Sequence, residues 1–334
     1  MATPQSVEAF LWLLLIGFSL LMYVALDGYD LGIGLLLLTE QDESNRKEMV
    51  GIVATAWDGN ESWLILLGVE LFGGFPLAYS TLLPALYIPL ILMLFALIFR
   101  GISIEFQSQS PVYARRWGFV FALGSLIAAF CQGVILGAVL VGFPVKNGHF
   151  AGTPLSFLHG FSLLTGLFFV AAYCLSGVAW LNDKTSKSLQ ESSKRKGRIL
   201  SLLVGVLLIM LVMLAPFVSS VVGAIIFNGQ FFLRGAGAVL ALVLLWAVQH
   251  TLKTRNDLLP FLCAIFALVL SLLSLLLLNY PYLVSPSITI WQAAAPRNAV
   301  DFLLIGVGCC IPIVLIYNAY AFYVFRGKFV MPQQ

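Results

Sequence analysis

Several carboxylates stand inside segments of the chain that are otherwise apolar. Asp27 and Asp30 interrupt one such segment, and Asp58 and Glu61 interrupt the next. Each pair is spaced three residues apart, so both members of a pair lie on one face of a helix. An ionised aspartate at the centre of a membrane helix costs roughly 2.5–3.5 kcal/mol on insertion scales, so such residues are rare unless they are paired, protonated or in contact with water. Buried carboxyl groups can accept and release protons, so a proton path is one chemistry that these residues indicate.

A third apolar segment ends with Arg100, which is followed by Glu105. Consecutive membrane helices run in opposite directions, so the end of the first, the start of the second and the end of the third lie on the same side of the membrane. The three helices would therefore bring carboxylates to one membrane depth. A purely structural interpretation also remains open, in which the acids pair with Arg100 or cap helix ends. Asp58 in particular could cap a helix that starts at Trp57.

Other chemistries have little support in the residues. The three histidines, His149, His159 and His250, lie near the ends of apolar segments, and no two share a helix face at ligand spacing. Phosphate-binding glycine motifs are absent from the sequence, and a net charge of +3 is too small to indicate nucleic acid. We therefore predict that this chain has no haem-binding residue, no metal ligand and no nucleic-acid partner.

The hydropathy of the chain predicts the helices that position these acids. The chain has 334 residues, of which 60% are hydrophobic and 10% charged, whereas a soluble domain is nearer a quarter charged. A membrane helix needs roughly 20 apolar residues. We predict an all-α membrane protein with about nine transmembrane helices in a multi-pass arrangement. The predicted spans are 8–38, 51–75, 78–99, 117–142, 157–181, 199–226, 231–252, 258–278 and 301–325.

Orientation follows from the distribution of basic residues. With nine spans, one side of the membrane receives only Lys146, Arg234 and Arg297, which leaves 15 of the 18 Lys and Arg residues for the other side. The positive-inside rule then places the N-terminus outside and the C-terminus in the cytoplasm. We expect a single polytopic domain, 1–334, whose helical halves, approximately 1–181 and 199–334, are joined by a basic cytoplasmic loop, 182–198.

Three stretches resemble subunit II of the cytochrome bd-type quinol oxidases, including the cyanide-insensitive branch. They are residues 26–34 (LDGYDLGIG), residues 57–64 (WDGNESWL) with 71–76 (LFGGFP), and residues 99–106 (FRGISIEF). The last segment, with Pro312 and the series Tyr317, Tyr320 and Tyr323, is also similar to the family. The WDGNESW stretch is quite specific, whereas the second half of the chain is generic apolar sequence.

The resemblance implies a complex in the bacterial inner membrane that oxidises quinol at the outer face and reduces oxygen to water in the aerobic respiratory chain. Two haems b and one haem d would be held by a partner, subunit I, and none by this chain. The complex would take its chemical protons from the cytoplasm. Some relatives also hold a structural quinone in this subunit. A small single-helix accessory subunit is a further candidate partner, beside the quinol and oxygen substrates and the lipid bilayer.

The resemblance also implies residue roles. Asp58 matches a carboxylate on the cytoplasmic proton path, and Glu105 takes the position of another path acid that is aspartate in some relatives. A basic residue four positions later in those relatives is Gln109 here. Trp63, which lies too far from a span end for an interfacial indole, matches an indole near an oxygen-access route.

These considerations leave three hypotheses. In the first, the chain is the non-haem subunit of a terminal oxidase. Its proton-path residues would be Asp58, Glu105, Asp27, Asp30 and Glu61, with Arg100 as their structural charge partner. A stand-alone proton-coupled secondary transporter would also contain intramembrane acids, although it favours broken helices or repeated halves around a midplane site. An assembly scaffold without proton conduction is the third hypothesis.

Overall fold

The computed structural model describes residues 4–109, 111–227 and 230–330, and most of these residues are helical. The helices are, in chain order, α1 (Pro4–Leu36), α2 (Glu43–Val53), α3 (Trp57–Gly74), α4 (Pro76–Ala85), α5 (Tyr87–Gln109), α6 (Ala114–Val141), α7 (Gly160–Lys184), α8 (Lys187–Val218), α9 (Ser220–Phe227), α10 (Gln230–Thr251), α11 (Leu259–Asn279), α12 (Ile290–Ala293) and α13 (Arg297–Val324). A 3₁₀ turn, Pro111–Tyr113, joins α5 and α6. Two antiparallel hairpins pair β1 (Val145–Lys146) with β2 (His149–Phe150), and β3 (Tyr282–Val284) with β4 (Ile288–Thr289).

Seven helices in the described ranges are long and apolar enough to cross a membrane, namely α1, α5, α6, α7, α8, α11 and α13. The prediction of an all-α, multi-pass membrane protein is therefore confirmed. Two further long helices, α3 and α10, occupy the predicted second and seventh spans. Helix α3 carries three carboxylates within its 18 residues, which is more charge than a membrane helix usually contains. The count of nine spans and their orientation remain predictions.

The predicted span 51–75 is wrong at its start, because the chain turns between α2 and α3. Helix α2 ends at Val53, where the Thr55 hydroxyl donates a hydrogen bond to the carbonyl of Ile52 at 2.8 Å. Helix α3 begins afresh at Trp57. Asp58 therefore lies in the first turn of a helix, and not two turns inside one.

The predicted span 78–99 is also wrong, because it is broken at Leu86 and its second part runs further. Pro84 lies near the end of α4, and Pro89 lacks the backbone N–H that would continue the helix across the break. Helix α5 then extends to Gln109. Arg100 and Glu105 consequently lie within a helix instead of closing one.

The segment 182–198, which we expected to be a loop, is helical from Lys187 onward as the first part of α8. Its lysines, arginines, glutamine and glutamate are good helix formers, and no proline interrupts it. At the other end, α8 stops at Val218, so the predicted span 199–226 is divided between α8 and α9.

Helix α1 packs against α3, α6 and α7. Its contact with α7 is especially close, because glycines face each other at the crossing. A Cβ atom on Gly32 would overlap the backbone carbonyl of Tyr173, and one on Gly177 would meet the backbone of Gly32. Small residues allow helices to approach in this way inside a membrane. The crossing fixes the position of the helix that carries Asp27 and Asp30.

Candidate functional site

Arg100 joins three helices through a buried ion-pair cluster. Its guanidinium group contacts Asp27 Oδ1 on α1 at 2.5 Å and Glu61 Oε2 on α3 at 2.9 Å. The side chains of Arg100 and Asp27 are buried, whereas the side chain of Glu61 is 24% exposed. The indole ring of Trp57 lies 5.7 Å from the guanidinium carbon. Asp27, Glu61 and Arg100 are hereafter the Arg100 cluster.

The Arg100 cluster is not fully hydrogen-bonded by protein atoms. Asp27 Oδ2 and Arg100 Nε are buried and have no hydrogen-bond partner among the described residues. Buried polar atoms usually have a partner, so each such atom calls for an explanation. Two carboxylates face one guanidinium group, so the negative groups of the cluster outnumber the positive one.

Asp30 has different hydrogen-bond partners from Asp27, although it lies only one helical turn away. Its Oδ2 atom accepts a hydrogen bond from Asn60 Nδ2 at 2.7 Å. The same nitrogen donates to the hydroxyl of Tyr29 at 3.0 Å. Asp30 Oδ1 is buried without a partner among the described residues. The two acids that the sequence places on one helix face therefore face different neighbours.

Asp58 and Glu105 are exposed at the surface of the chain. The Oδ1 atom of Asp58 accepts a hydrogen bond from the backbone N–H of Gly59 at 2.8 Å, a local contact within its own helical turn. Glu105 follows Arg100 by five residues on α5, about 7.5 Å along the helix axis at 1.5 Å per residue. Of the expected path acids, the structure thus brings Asp27 and Glu61 to Arg100, and not Asp58.

Trp63, on α3, is fully buried against α1 and α13. Its indole N–H donates to Asn318 Oδ1 on α13 at 2.9 Å, and its ring meets the edge of Phe18 on α1 at 5.7 Å between centroids. The hydrogen bond explains how a polar N–H is tolerated at this depth.

Sequence reasoning missed several buried polar groups that belong to the same region. Asn60 bridges Asp30 and Tyr29, and a second chain runs from the Tyr173 hydroxyl to Gln132 Oε1 (2.6 Å) and from Gln132 Nε2 to the Tyr23 hydroxyl (2.7 Å). An amide inside an apolar helix is the signal that would have identified Asn60 and Gln132. The tyrosines carry no such signal, because buried tyrosine is common in apolar helices.

Within the part of the chain that the structure describes, no group of three His, Cys, Asp or Glu side chains is arranged to hold a metal ion.

The fold and the site together define a class, which is a polytopic helical membrane protein whose intramembrane charges meet in a buried cluster. The family model for cytochrome bd terminal oxidase subunit II matches residues 8–325. The chain therefore belongs to that family.

Individual relatives agree with the family assignment. Cytochrome bd-I ubiquinol oxidase subunit 2 of Escherichia coli (strain K12) is 28% identical over 205 residues, which cover 59% of this chain and 54% of that protein. Cytochrome bd ubiquinol oxidase subunit 2 of Bacillus subtilis (strain 168) is 27% identical over 189 residues, which cover 55% and 56% respectively. The chain thus spans about half the length of the curated relatives that it matches.

The fold agrees with that of a solved complex. A chain from the structure of bd oxidase from Geobacillus thermodenitrificans superposes with a TM-score of 0.81, covering 96% of this chain and 98% of that chain. Sequence identity is 14%, so this likeness concerns the fold alone.

Proposed function

We propose that the chain is the non-haem subunit II of a bd-type terminal quinol oxidase. With subunit I it would couple quinol oxidation to the reduction of oxygen to water. The observation that carries this proposal is the family match along residues 8–325. The proposal places two haems b and one haem d in subunit I, and a small accessory subunit and a structural quinone are candidate further components of the complex.

We propose an inner-membrane orientation with the N-terminus outside and the C-terminus in the cytoplasm. Two contacts support an odd number of spans. Arg297, at the start of α13, pairs with Glu8 near the start of α1 at 2.8 Å, so the first and last helices begin on one side. Gly28 faces the Tyr173 ring and Gly32 faces Gly177, so α1 and the fifth predicted span run parallel.

The oxidase proposal is tested by purifying the tagged chain gently from membranes. We expect it to purify with a large haem-bearing partner, and the reduced-minus-oxidised spectrum should contain b- and d-type bands. A colourless chain that purifies alone from cells grown at low oxygen would instead support the proton-coupled transporter.

Within the complex, we propose that this chain delivers protons from the cytoplasm. Asp58 is exposed at the start of α3, and Glu61, about one helical turn further along α3, belongs to the Arg100 cluster together with Asp27. An exposed carboxylate can take up a proton from water or pass one to a neighbouring subunit. Glu105 is exposed on α5, the helix that also carries Arg100, and is the second surface acid of this path.

Replacing Asp58 by asparagine should slow oxygen consumption about 10-fold or more, because general acid–base groups typically contribute a factor of 10²–10⁴. The haem spectrum should stay normal, since the Asp58 side chain accepts a hydrogen bond from the next residue, Gly59, within its own helical turn. Asp301→Asn is the matched control. Asp301 lies near the start of α13, where Arg297 pairs with Glu8, and this end of the bundle is the outer one in the proposed orientation. Wild-type turnover in a spectrally normal Asp58→Asn complex would remove Asp58 from the path.

We also propose that oxygen reaches the complex past Trp63. Trp63→Ala should raise the oxygen concentration needed for half-maximal turnover several-fold, because the side chain that shapes the route is lost. Asn318→Ala removes only the partner of the indole N–H and should leave that concentration near the wild-type value. Respirometry at low oxygen measures both variants, and an unchanged oxygen affinity in Trp63→Ala would argue against the route.

A further inference from the structure

A cavity of about 300 Å³ opens at the end of the bundle where most basic residues lie. Its walls include Tyr29 of α1, Thr55 of the α2–α3 turn, Trp180 and Lys184 of α7, and the segment 325–330 after α13. That segment folds across the end of α7, where the backbone N–H of Phe329 donates to the carbonyl of Lys184 at 2.8 Å. The cavity is cytoplasmic in the proposed orientation.

Tyr29 connects this cavity with the interior of the bundle. Its ring is 2% exposed and packs against the rings of Trp180 (5.0 Å) and Phe261 (5.6 Å). Its hydroxyl and the Oδ2 atom of Asp30 both bond to the single nitrogen Asn60 Nδ2, at 3.0 and 2.7 Å. Two oxygens that share one donor lie within reach of a bridging water molecule. Tyr29 thus lines the cavity, and its hydroxyl group lies next to the buried carboxyl group of Asp30.

Asp30 is suited to receive a proton from this direction. It is 1% exposed, it has no ion pair with Arg100, and its Oδ1 atom has no hydrogen-bond partner among the described residues. A buried carboxylate without a countercharge is costly while ionised. A carboxyl group in this position can therefore take up a proton and hold it.

Two of the three basic residues that line the cavity have carboxylate partners, whereas the guanidinium group of Arg326 lies 4.0 Å from the ring centroid of Tyr323. Lys184 Nζ lies 3.4 Å from Asp183 Oδ2, and Lys328 Nζ lies 2.8 Å from Asp257 Oδ2. Partial burial raises the pKa of Asp257, but the hydrogen bond and the charge of Lys328 more than offset this, so the net pKa lies below the usual value. The mouth of the cavity is therefore lined by charged groups, which suit the entry of water.

We propose that this cavity is a second cytoplasmic proton entrance, in which the Tyr29 hydroxyl relays protons from water to Asp30. The inference rests on the proposed role of the chain in proton delivery. In each transfer the tyrosine oxygen accepts a proton from water in the cavity and releases its own proton towards Asp30, directly or through one water molecule. One O–H bond forms as another breaks, and no oxidant or reductant is needed.

The first test removes the relay hydroxyl alone. Tyr29→Phe keeps the ring that packs on Trp180 and Phe261, so we expect a complex with a normal haem spectrum and turnover about 10-fold lower, with a larger solvent deuterium isotope effect. Tyr323→Phe is the control, because it removes an exposed hydroxyl at the same end of the bundle. Wild-type turnover and isotope effect in Tyr29→Phe would overturn the proposal.

A second test blocks the cavity while leaving Tyr29 unchanged. It tests the proposed proton entrance even if the Tyr29→Phe complex does not assemble. Thr55→Cys in the purified complex is treated with a bulky, charged methanethiosulfonate reagent, and turnover is compared with that of the same sample before treatment. We expect a several-fold loss that reduction of the mixed disulfide reverses. Ser186→Cys, exposed on the same side outside the cavity, and the parent complex with its five native cysteines are treated identically.

The outcomes separate this inference from the proposed function. If Asp58→Asn slows turnover while modified Thr55→Cys keeps its full rate, then proton delivery stands and the second entrance is refuted. If none of these changes affects turnover, the proton-delivery role itself has failed.

Discussion

Replacing Arg100 by methionine should prevent the chain from accumulating in an assembled complex. Methionine fills part of the volume but leaves Asp27, which is 0% exposed, without its countercharge. Removing one partner of a buried ion pair typically costs about 3–5 kcal/mol. That loss is a large fraction of the stability of most proteins. The amount of haem-containing complex per milligram of membrane protein measures the effect.

A compensating variant separates charge from packing. Arg100→Met combined with Asp27→Asn and Glu61→Gln removes all three charges, and we expect it to recover a substantial part of the lost complex, because no unpaired buried charge remains. Arg255→Met, at an exposed position after α10, is the control for loss of a positive charge and should accumulate normally. Normal accumulation of the single variant Arg100→Met would mean that the cluster does not support the fold.

Hydropathy and charge were enough to predict the class of the molecule and the general course of its long helices. The predicted spans 117–142, 157–181 and 258–278 agree with α6, α7 and α11 to within a few residues. These segments are continuous apolar runs flanked by polar sequence, so the bilayer requirement alone determines where each helix begins and ends.

The breaks inside apolar sequence could not be predicted in the same way. Residues 78–99 remain apolar across the break at Leu86, and the two prolines there are compatible with either a kinked or an interrupted helix. The start of α3 at Trp57 was indicated only by Asp58 as a candidate helix cap, and in the structure no side-chain hydrogen bond caps this helix.

The candidate site was predicted in its residue types and only partly in its partners. A cation near several acids was visible in the sequence, and the structure joins Arg100 to Asp27 and Glu61. Helical spacing alone suggested that Asp27 and Asp30 would share an environment. They do not, because rotation of the neighbouring helices places Arg100 beside one of them and Asn60 beside the other. Such rotations depend on tertiary packing, which no single helix encodes.

The second large effect is expected at Gly32, where an added methyl group should push α1 and α7 apart. A Cβ atom there would overlap the backbone carbonyl of Tyr173, and a backbone atom cannot rotate away as a flexible side chain can. Overpacking of this kind costs about 1–3 kcal/mol. Gly32→Ala should therefore lower the level of assembled complex several-fold and shorten its lifetime on heating, since changes of about 1–2 kcal/mol can alter abundance several-fold.

Gly17→Ala provides the matched control on the same helix. A Cβ atom at Gly17 would meet nothing within 4 Å, so the substitution adds the helix preference of alanine without a clash. Alanine is favoured over glycine inside a helix by roughly 0.5–1 kcal/mol, so this variant should be at least as stable as the parent. Both variants make the same chemical change in α1, so opposite outcomes would locate the effect at the contact with α7. Equal stability of the two would mean that α1 and α7 are not packed as closely as Gly32 and Gly177 indicate, and the placement of Asp27 and Asp30 would then have to be revised.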